Sequence, residues 1–255
     1  MPHVAVGVAT DMGRVRALNE DAFLAGERVW VVADGMGGHA AGDVASRLAI
    51  ESLRELETVD ELRPVLLNIA VARANAVVVR HGMMHPEVRG LGTTVTGLAE
   101  VTVGGVPHWG VFNVGDSRVY RYAGGELHRA TVDHSEVEEL LAGGLITAEQ
   151  AREHPARHII TRSVGIRPAP SADVWVLPQV AGERFLLCSD GLTSELDDDQ
   201  IATVLAAHPD PTEAAEALIE AVLATPARDN VTVVVVDVRG GYRAGDEVTV
   251  PEGEG

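Results

Sequence analysis

Residues 29–42 read VWVVADGMGGHAAG. Val29, Trp30, Val31 and Val32 form an apolar, largely β-branched run that gives way to Asp34 and then to a glycine-rich turn. Such a run predicts a buried strand. A carboxylate at its end is costly unless something compensates its charge. The same grammar recurs. WGVFNVGD ends at Asp116, RFLLCSD ends at Asp190, ARDNVTVVVV places Asp229 just before the last apolar run, and NED adds Glu20 and Asp21. Asp, Gly and Asn are ordinary turn residues, and that accounts for any one of these positions. The repetition of apolar runs meeting an aspartate is harder to assign to turns alone. If the ends converge, mutual repulsion forces some carboxyls to hold protons, and a divalent cation removes the problem. An all-oxygen donor set points to a hard ion, Mg²⁺ or Mn²⁺, and the sequence has no Cys/His cluster at zinc-ligand spacing.

The 255 residues allow one large or two small domains with a sizeable core. The formal charge is −18, from 38 acidic residues against 20 basic ones, all of them arginine. So acidic a chain argues against a generic binder of nucleic acid or anionic membranes. It leaves a phosphate-bearing substrate open, because a bound cation inverts the local field. The single cysteine, Cys188, reads as a small buried hydrophobe and excludes a disulfide framework, which fits a reducing compartment. No signal-peptide pattern opens the sequence and no apolar run approaches membrane-spanning length, so a cytoplasmic location is expected.

Along the chain, HVAVGVATDMG alternates like a strand, and residues 42–57 place Val44, Leu48, Leu53 and Leu56 near helical spacing. A second helix is predicted over 61–81. From residue 91 to 130 the pattern is β, with Gly-Gly turns at 104–105 and 124–125. Residues 134–164 read as short helices and loops, with Thr147 and Gln150 as a capping pair. Strands return at ADVWVLP and ERFLLCS, helices follow near 197–207 and 211–224, and NVTVVVVDV is a last strand. Helices arrive in pairs without strict βαβ alternation, which favours an α+β fold with antiparallel sheets. One domain over residues 1–240 is expected, with a mobile tail at 241–255.

GMGGHA, residues 35–40, also matches a dinucleotide fingerprint. Asp34 would set a negative charge beside a pyrophosphate, and the following helix leads to another helix and not to a second strand. That reading ranks low.

RALNED, VVADGMGGHAAG, GLGTTVTG, VGDSRVYR, TVDHS, CSDGLTSEL and DNVTVVVV occur in the order found in metal-dependent protein serine/threonine phosphatases of type 2C, and the chain resembles the bacterial branch of that family from about residue 5 to 238. The resemblance implies a central β-sandwich of two antiparallel sheets with a pair of helices on each outer face, and a flap at roughly 134–165 that begins at Asp133 and His134. It implies two Mn²⁺ or Mg²⁺ ions, with Asp34 bridging them, the Gly35 carbonyl on one, and Asp190 and Asp229 on the other. Asp21 would act through bound water with Glu20 behind it. A third, weaker ion would lie at Asp116 and Asp190, and Arg16 would bind phosphate. The implied reaction is hydrolysis of phosphoserine and phosphothreonine by direct in-line attack of a metal-bridging hydroxide. Arginine suits that phosphate role through its planar fork.

Met36 stands where animal members of the family carry a histidine. His39 either donates the proton to the leaving oxygen or packs the loop, and both readings stay open. Ser117 is not in a nucleophile elbow, and Thr93 and Thr94 read as strand support near the site. Arg152, Arg157 and Arg162 in the flap read mainly as solvated charge. The expected partners are phosphorylated proteins, with a Ser/Thr kinase as the opposing enzyme, and the expected state is a monomer. The alternative is a catalytically inactive relative that binds phosphoproteins, and it predicts loss of a metal aspartate or of Arg16.

Overall fold

The computed structural model describes residues 4–37, 41–88, 90–152 and 154–240. In chain order the strands and helices are β1 (Val4–Asp11), β2 (Ala22–Ala25), β3 (Val29–Ala33), β4 (Gly35–Met36), α1 (Ala41–Leu53), α2 (Pro64–Met84), β5 (Gly92–Thr93), β6 (Val95–Val103), β7 (Val106–Val114), β8 (Arg118–Ala123), β9 (Glu126–Arg129), α3 (Glu136–Ala142), α4 (Ala148–Arg152), β10 (Asp173–Pro178), β11 (Arg184–Cys188), α5 (Asp190–Thr193), α6 (Asp198–Ala207), α7 (Pro211–Leu223) and β12 (Val231–Val238). One sheet runs β1-β12-β11-β8-β9 and the other β10-β7-β6-β3-β2, with β4 and β5 forming a short separate ladder. Every ladder between these strands is antiparallel.

The continuous apolar runs follow from burial on both faces of a strand. In β3, Val29, Val31 and Ala33 join the cluster under α1 and α2, while Trp30 and Val32 point between the sheets. In β12, Val231, Val233 and Val235 face the layer of α6 and α7, while Val234, Val236 and Val238 face the other sheet. An antiparallel sheet with one wet face would alternate apolar and polar residues. Here helices cover both outer faces, and the result is a four-layer α+β sandwich. The two sheets are joined through Trp30, Trp109 and Phe185, whose rings meet edge to face at centroid distances of 5.9 and 5.8 Å.

The element ends follow local chemistry. Gly104 and Gly105, and again Gly124 and Gly125, all take positive φ in two-residue hairpin turns. Asp197 caps α6 in a reciprocal box with Gln200, and Asp210 caps α7. Two expectations shift. The helix predicted over 42–57 ends at Leu53 and continues as a tighter 3₁₀ turn, and its buried stripe is Ala45, Ala49, Ile50 and Leu53, with Val44 and Leu48 only half-buried. The helix predicted from 61 begins at Pro64, since proline suits a first turn and disfavours helix before it. Residues 241–255 lie outside the described residues.

The flap has its own small cluster, Val137, Ala151 and Ala156 with Leu141 and Ile146. The Thr147–Gln150 capping pair forms as expected. Its stems are joined by a bridge between Ser135 and Ile160. Among the described residues no helix is long and apolar enough to cross a membrane.

The intersheet cluster makes a direct prediction. Trp30→Ala should lower unfolding free energy by about 3–5 kcal/mol. Trp30→Phe should cost clearly less, because the indole nitrogen has no hydrogen-bond partner to lose. Urea unfolding of the two variants beside wild type checks the order.

Candidate metal centre and its cleft

Strand direction decides where the aspartates go. Ala33 at the end of β3 pairs with Ala22 at the start of β2, so Asp34 and Asp21 leave the same edge. Cys188 at the end of β11 pairs with Arg118 and with Val233, which sends Asp190 towards the starts of β8 and β12, where Asp116 and Asp229 stand. These ends open on one cleft of about 1370 Å³, lined among others by Arg16, Glu20, Asp34, Gly35, Asp116, Asp190 and Asp229. Asp21 is not among the cleft's lining residues, and its Oδ2 accepts from Ser189 Oγ at 2.8 Å.

The carboxyls feel one another. Burial pushes Asp34 well above the usual carboxylate range, and Asp21, Asp190, Asp116 and Asp229 add repulsion. Burial likewise pushes Asp21 up to about 7, against the hydrogen bonds it accepts, with Asp190 and Asp229 repelling it. Asp116 is pushed up to about 8 by burial, with Asp190 and Asp133 adding to the effect. Asp190 is raised by burial and by Asp229, while a hydrogen bond with Asp34 acts the other way. Asp21 Oδ1 and Asp116 Oδ1 are buried with no hydrogen-bond partner. Such a set is unstable as anions and suits cations.

The donors fit a hard divalent ion. They are all oxygen. Among the described residues no three acidic, histidine or cysteine side chains already close on one point as a cage. An all-oxygen set can serve an ion of the Mg²⁺ kind, which keeps several waters and takes one or two carboxylates.

A polar frame holds the backbone under these side chains. The Asp34 N–H donates to Thr94 Oγ1 at 2.9 Å, Thr93 Oγ1 donates to the Asp34 carbonyl at 2.8 Å, and the Thr94 hydroxyl meets Ser117 Oγ at 2.7 Å. Gly35 and Gly42 touch. A Cβ on Gly35 would strike the backbone of Gly42 and the carbonyl of Glu20. Glu20 Oε1 accepts from the Gly42 N–H at 3.2 Å, and the Glu20 N–H donates to Asn230 Oδ1 at 2.9 Å. Asn230 also donates through Nδ2 to the carbonyls of Met12 and Leu18, which fixes the loop carrying Arg16. Arg16 Nη2 donates to Asp229 Oδ2 at 2.6 Å, and half of its side chain is exposed.

Of the predicted site residues, Arg16, Glu20, Asp34, Gly35, Asp116, Asp190 and Asp229 line the cleft together, with Asp21 held by Ser189. His39 and the side chain of Arg152 lie outside the described residues. Arg157 lines the cleft, whereas Arg162 is held by Asp173 and the Ser171 carbonyl. Ser117 is buried and bonded to Thr94, and Cys188 is fully buried. The dinucleotide reading fails on topology: β3 is flanked by β2 and β6, both antiparallel, and Gly35–Met36 form a strand of their own. Sequence reasoning missed Ser189, Asn230 and His158. Ser189 and Asn230 sit beside flagged aspartates in CSDG and RDNV, so adjacency was the available signal. For His158, which lines the cleft from the flap, there was none.

Two antiparallel sheets between helix layers, with buried aspartates crowded at one open end, define a phosphatase-like architecture of the type 2C kind. The chain belongs to the protein phosphatase 2C family, whose pattern matches residues 13–225. It is 41% identical over 232 residues to the serine/threonine protein phosphatase PstP of Mycobacterium tuberculosis, covering 90% of this chain and 44% of that protein. The chain thus spans less than half the length of that relative. It is 34% identical over 240 residues to the serine/threonine phosphatase stp of Listeria welshimeri, covering 89% of this chain and 93% of that one. The crystal structure of the PstP catalytic domain in complex with two manganese ions superposes with a TM-score of 0.83 at 37% identity, over 92% of this chain and 98% of that one.

The raised carboxyls set the pH dependence of the metal-free protein. Asp21 and Asp116 move from the usual 3.8 to about 7 and about 8 on folding, so the folded chain holds protons that the unfolded chain releases. Stability therefore falls as pH rises through roughly 4 to 8 and levels off above. With chelator present, the thermal midpoint should drop between pH 5 and pH 8. Asp116→Asn should raise it at pH 8 and flatten the profile, and Mn²⁺ should restore the wild-type midpoint at pH 8.

Proposed function

We propose that this chain is a metal-dependent protein serine/threonine phosphatase that hydrolyses phosphoserine and phosphothreonine on proteins. The observation that carries the reading is the set of buried, mutually repelling aspartates in a cleft that Arg16 also lines. Family membership and the two manganese ions of the related catalytic domain support it. In this reading Asp34 would serve both of two Mn²⁺ or Mg²⁺ ions, the Gly35 carbonyl would help hold one, and Asp190 and Asp229 would hold the other. Asp21 would act through water with Glu20 behind it, and Asp116 with Asp190 would hold a weaker third ion. When bound, the ions offset charge on the phosphoryl oxygens and acidify a coordinated water.

The chain's own residues do the rest. Arg16 spends one amino group on Asp229 and keeps the remaining donors of its fork for a phosphate. Thr93 and Thr94 hold the Asp34 backbone from both its N–H and its carbonyl, so the carboxylate needs little reorganisation. The leaving serine or threonine oxygen needs a proton. Among the described residues lining the cleft, the imidazole is that of His158, which stands as a candidate donor beside His39. The catalytic unit is residues 1–240 with the flap as its substrate-facing part. Its substrates are cytoplasmic phosphoproteins made by a Ser/Thr kinase, and it acts as a monomer.

The test is hydrolysis of p-nitrophenyl phosphate and of a phosphothreonine peptide, with and without Mn²⁺. Asp34→Asn and Asp229→Asn should each cost at least about 100-fold in kcat with folding intact. Arg16→Lys should act chiefly on KM. No turnover by folded, Mn²⁺-loaded wild type would overturn the reading in favour of an inactive phosphoprotein-binding relative. The proton donor is identified by leaving group. Nitrophenolate leaves without protonation, so His158→Gln or His39→Gln, whichever is the donor, should lose activity on the phosphothreonine peptide and retain it on p-nitrophenyl phosphate.

A further inference from the structure

His134 opens the flap and is 6% exposed. Its N–H donates to the Gly115 carbonyl at 2.8 Å, and the Gly115 N–H donates back to imidazole Nδ1 at 3.0 Å. Nε2 lies 3.1 Å from Asp173 Oδ2. Because Nδ1 accepts, the ring proton sits on Nε2 and is donated to Asp173, so a single neutral tautomer satisfies both contacts. Burial holds this imidazole below its usual pKa and favours that neutral form, with Arg162 acting in the same direction and the Asp173 bond against it.

Each end of this contact leads somewhere. Gly115 adjoins Asp116, whose Oδ1 is buried without a partner. Gly115 has a φ of 112°, and a Cβ there would run into the side chain of Thr94, so the turn has little freedom of its own. Asp173 also accepts from Arg162 Nη1 at 2.8 Å, at the exit of the flap. The Thr161 N–H donates to the His134 carbonyl at 2.8 Å. Entry stem, exit stem and the Gly115–Asp116 turn therefore meet at one residue, through the His134 backbone and through its imidazole, which reaches Gly115 and Asp173.

We infer that His134 is a positioning residue that latches both stems of the flap to the Gly115–Asp116 turn and thereby fixes how the Asp116 carboxylate is presented to a cation. The inference rests on the proposed reading of Asp116 as a ligand of the weakest ion. It makes the flap more than a substrate-facing loop: its attachment and the Asp116 side of the centre are one mechanical unit.

Two substitutions separate the ring's two contacts. His134→Asn sets an amide oxygen where Nδ1 stands and keeps the Gly115 contact. His134→Gln carries its amide out towards Asp173 and gives up Gly115. Free Mn²⁺ is counted by electron paramagnetic resonance during titration of the whole chain. The Asn variant should bind as wild type does, within about twofold, and the Gln variant should lose about tenfold or more in its weakest step with the tighter steps unmoved. A purely structural role would lower the thermal midpoint of both variants and leave binding unchanged. Unchanged binding in the Gln variant, or an equal loss in both, overturns the inference.

Wild type supplies a measurement that needs no variant to fold. Its His134 ring ¹⁵N shifts should mark Nδ1 as unprotonated at pH 7. The ring and Gly115 amide signals should move together during the weakest step of a Mg²⁺ titration. A proton on Nδ1, or signals that stay still, overturns the inference. Binding is read without turnover, so a chain that binds Mn²⁺ as described yet hydrolyses nothing would sink the phosphatase reading alone. A chain that binds no Mn²⁺ would sink both.

Discussion

Carboxylates buried within reach of one another repel, and the rest of this molecule is arranged around that cost. Asp34, Asp116 and Asp190 are each pushed upward by burial first and by a neighbouring aspartate second, Asp21 for Asp34, Asp190 for Asp116 and Asp229 for Asp190. A chain that only had to fold would not place them so, because an apolar or hydrogen-bonded substitute would be more stable. The placement makes sense for a protein that meets a cation in its folded state and only there. The surrounding polar frame is consistent with that. Ser189 donates to Asp21, and Thr93 and Thr94 donate to and accept from the Asp34 backbone, yet Asp21 Oδ1 and Asp116 Oδ1 keep lone pairs free.

The sandwich supplies the stability against which that repulsion is held. Each central strand is buried on both faces, one against helices and one against the opposite sheet. A strand so placed cannot slip by one residue without exchanging two sets of packed side chains. The residue at its end is located accordingly. Aspartates delivered by β3, β7, β11 and β12 are therefore positioned by the most over-determined part of the fold. The loop carrying Arg16 is held by fewer ties, chiefly Asn230 and the contact with Asp229. The rigidity is thus graded, with a fixed set of aspartates beside an arginine that can adjust.

This division explains what the sequence disclosed. Val29–Val32 and Val231–Val236 announce strands because burial on both faces removes every polar letter, and an aspartate after such a run stands out. Hairpin glycines and the Thr147–Gln150 cap are legible because their causes are local. The convergence of strand ends was not legible, since strand order is set by pairing between residues such as Asp11 and Val231 that are far apart in the chain. Nor was the packing face of α1, where alanines lie against the sheet and the larger Val44 and Leu48 lean aside. Hydrophobicity ranks Val and Leu above Ala, but close approach of a helix to a sheet favours the small side chain. Asn230 and His134 act through contacts with backbone groups 212 and 19 residues away, and no pattern in a single sequence carries those.

The flap is tied to the sandwich unevenly. Its apolar contacts are mostly its own, Val137, Ala151 and Ala156 with Leu141 and Ile146. Prominent among its ties to the sandwich are polar ones. Arg129 reaches Glu138 across the surface, where an exposed pair contributes little. Asp133 and His134 at its entry are nearly buried, and each is matched in geometry: Asp133 takes a forked contact from Arg118, and His134 returns the hydrogen bond of Gly115. Buried polar contacts of this kind hold only when every member is in place. The flap is thus fixed at its root, where His134 bonds Gly115, the chain neighbour of Asp116. The tip packs mainly on itself, whereas the root bears on the turn that carries Asp116.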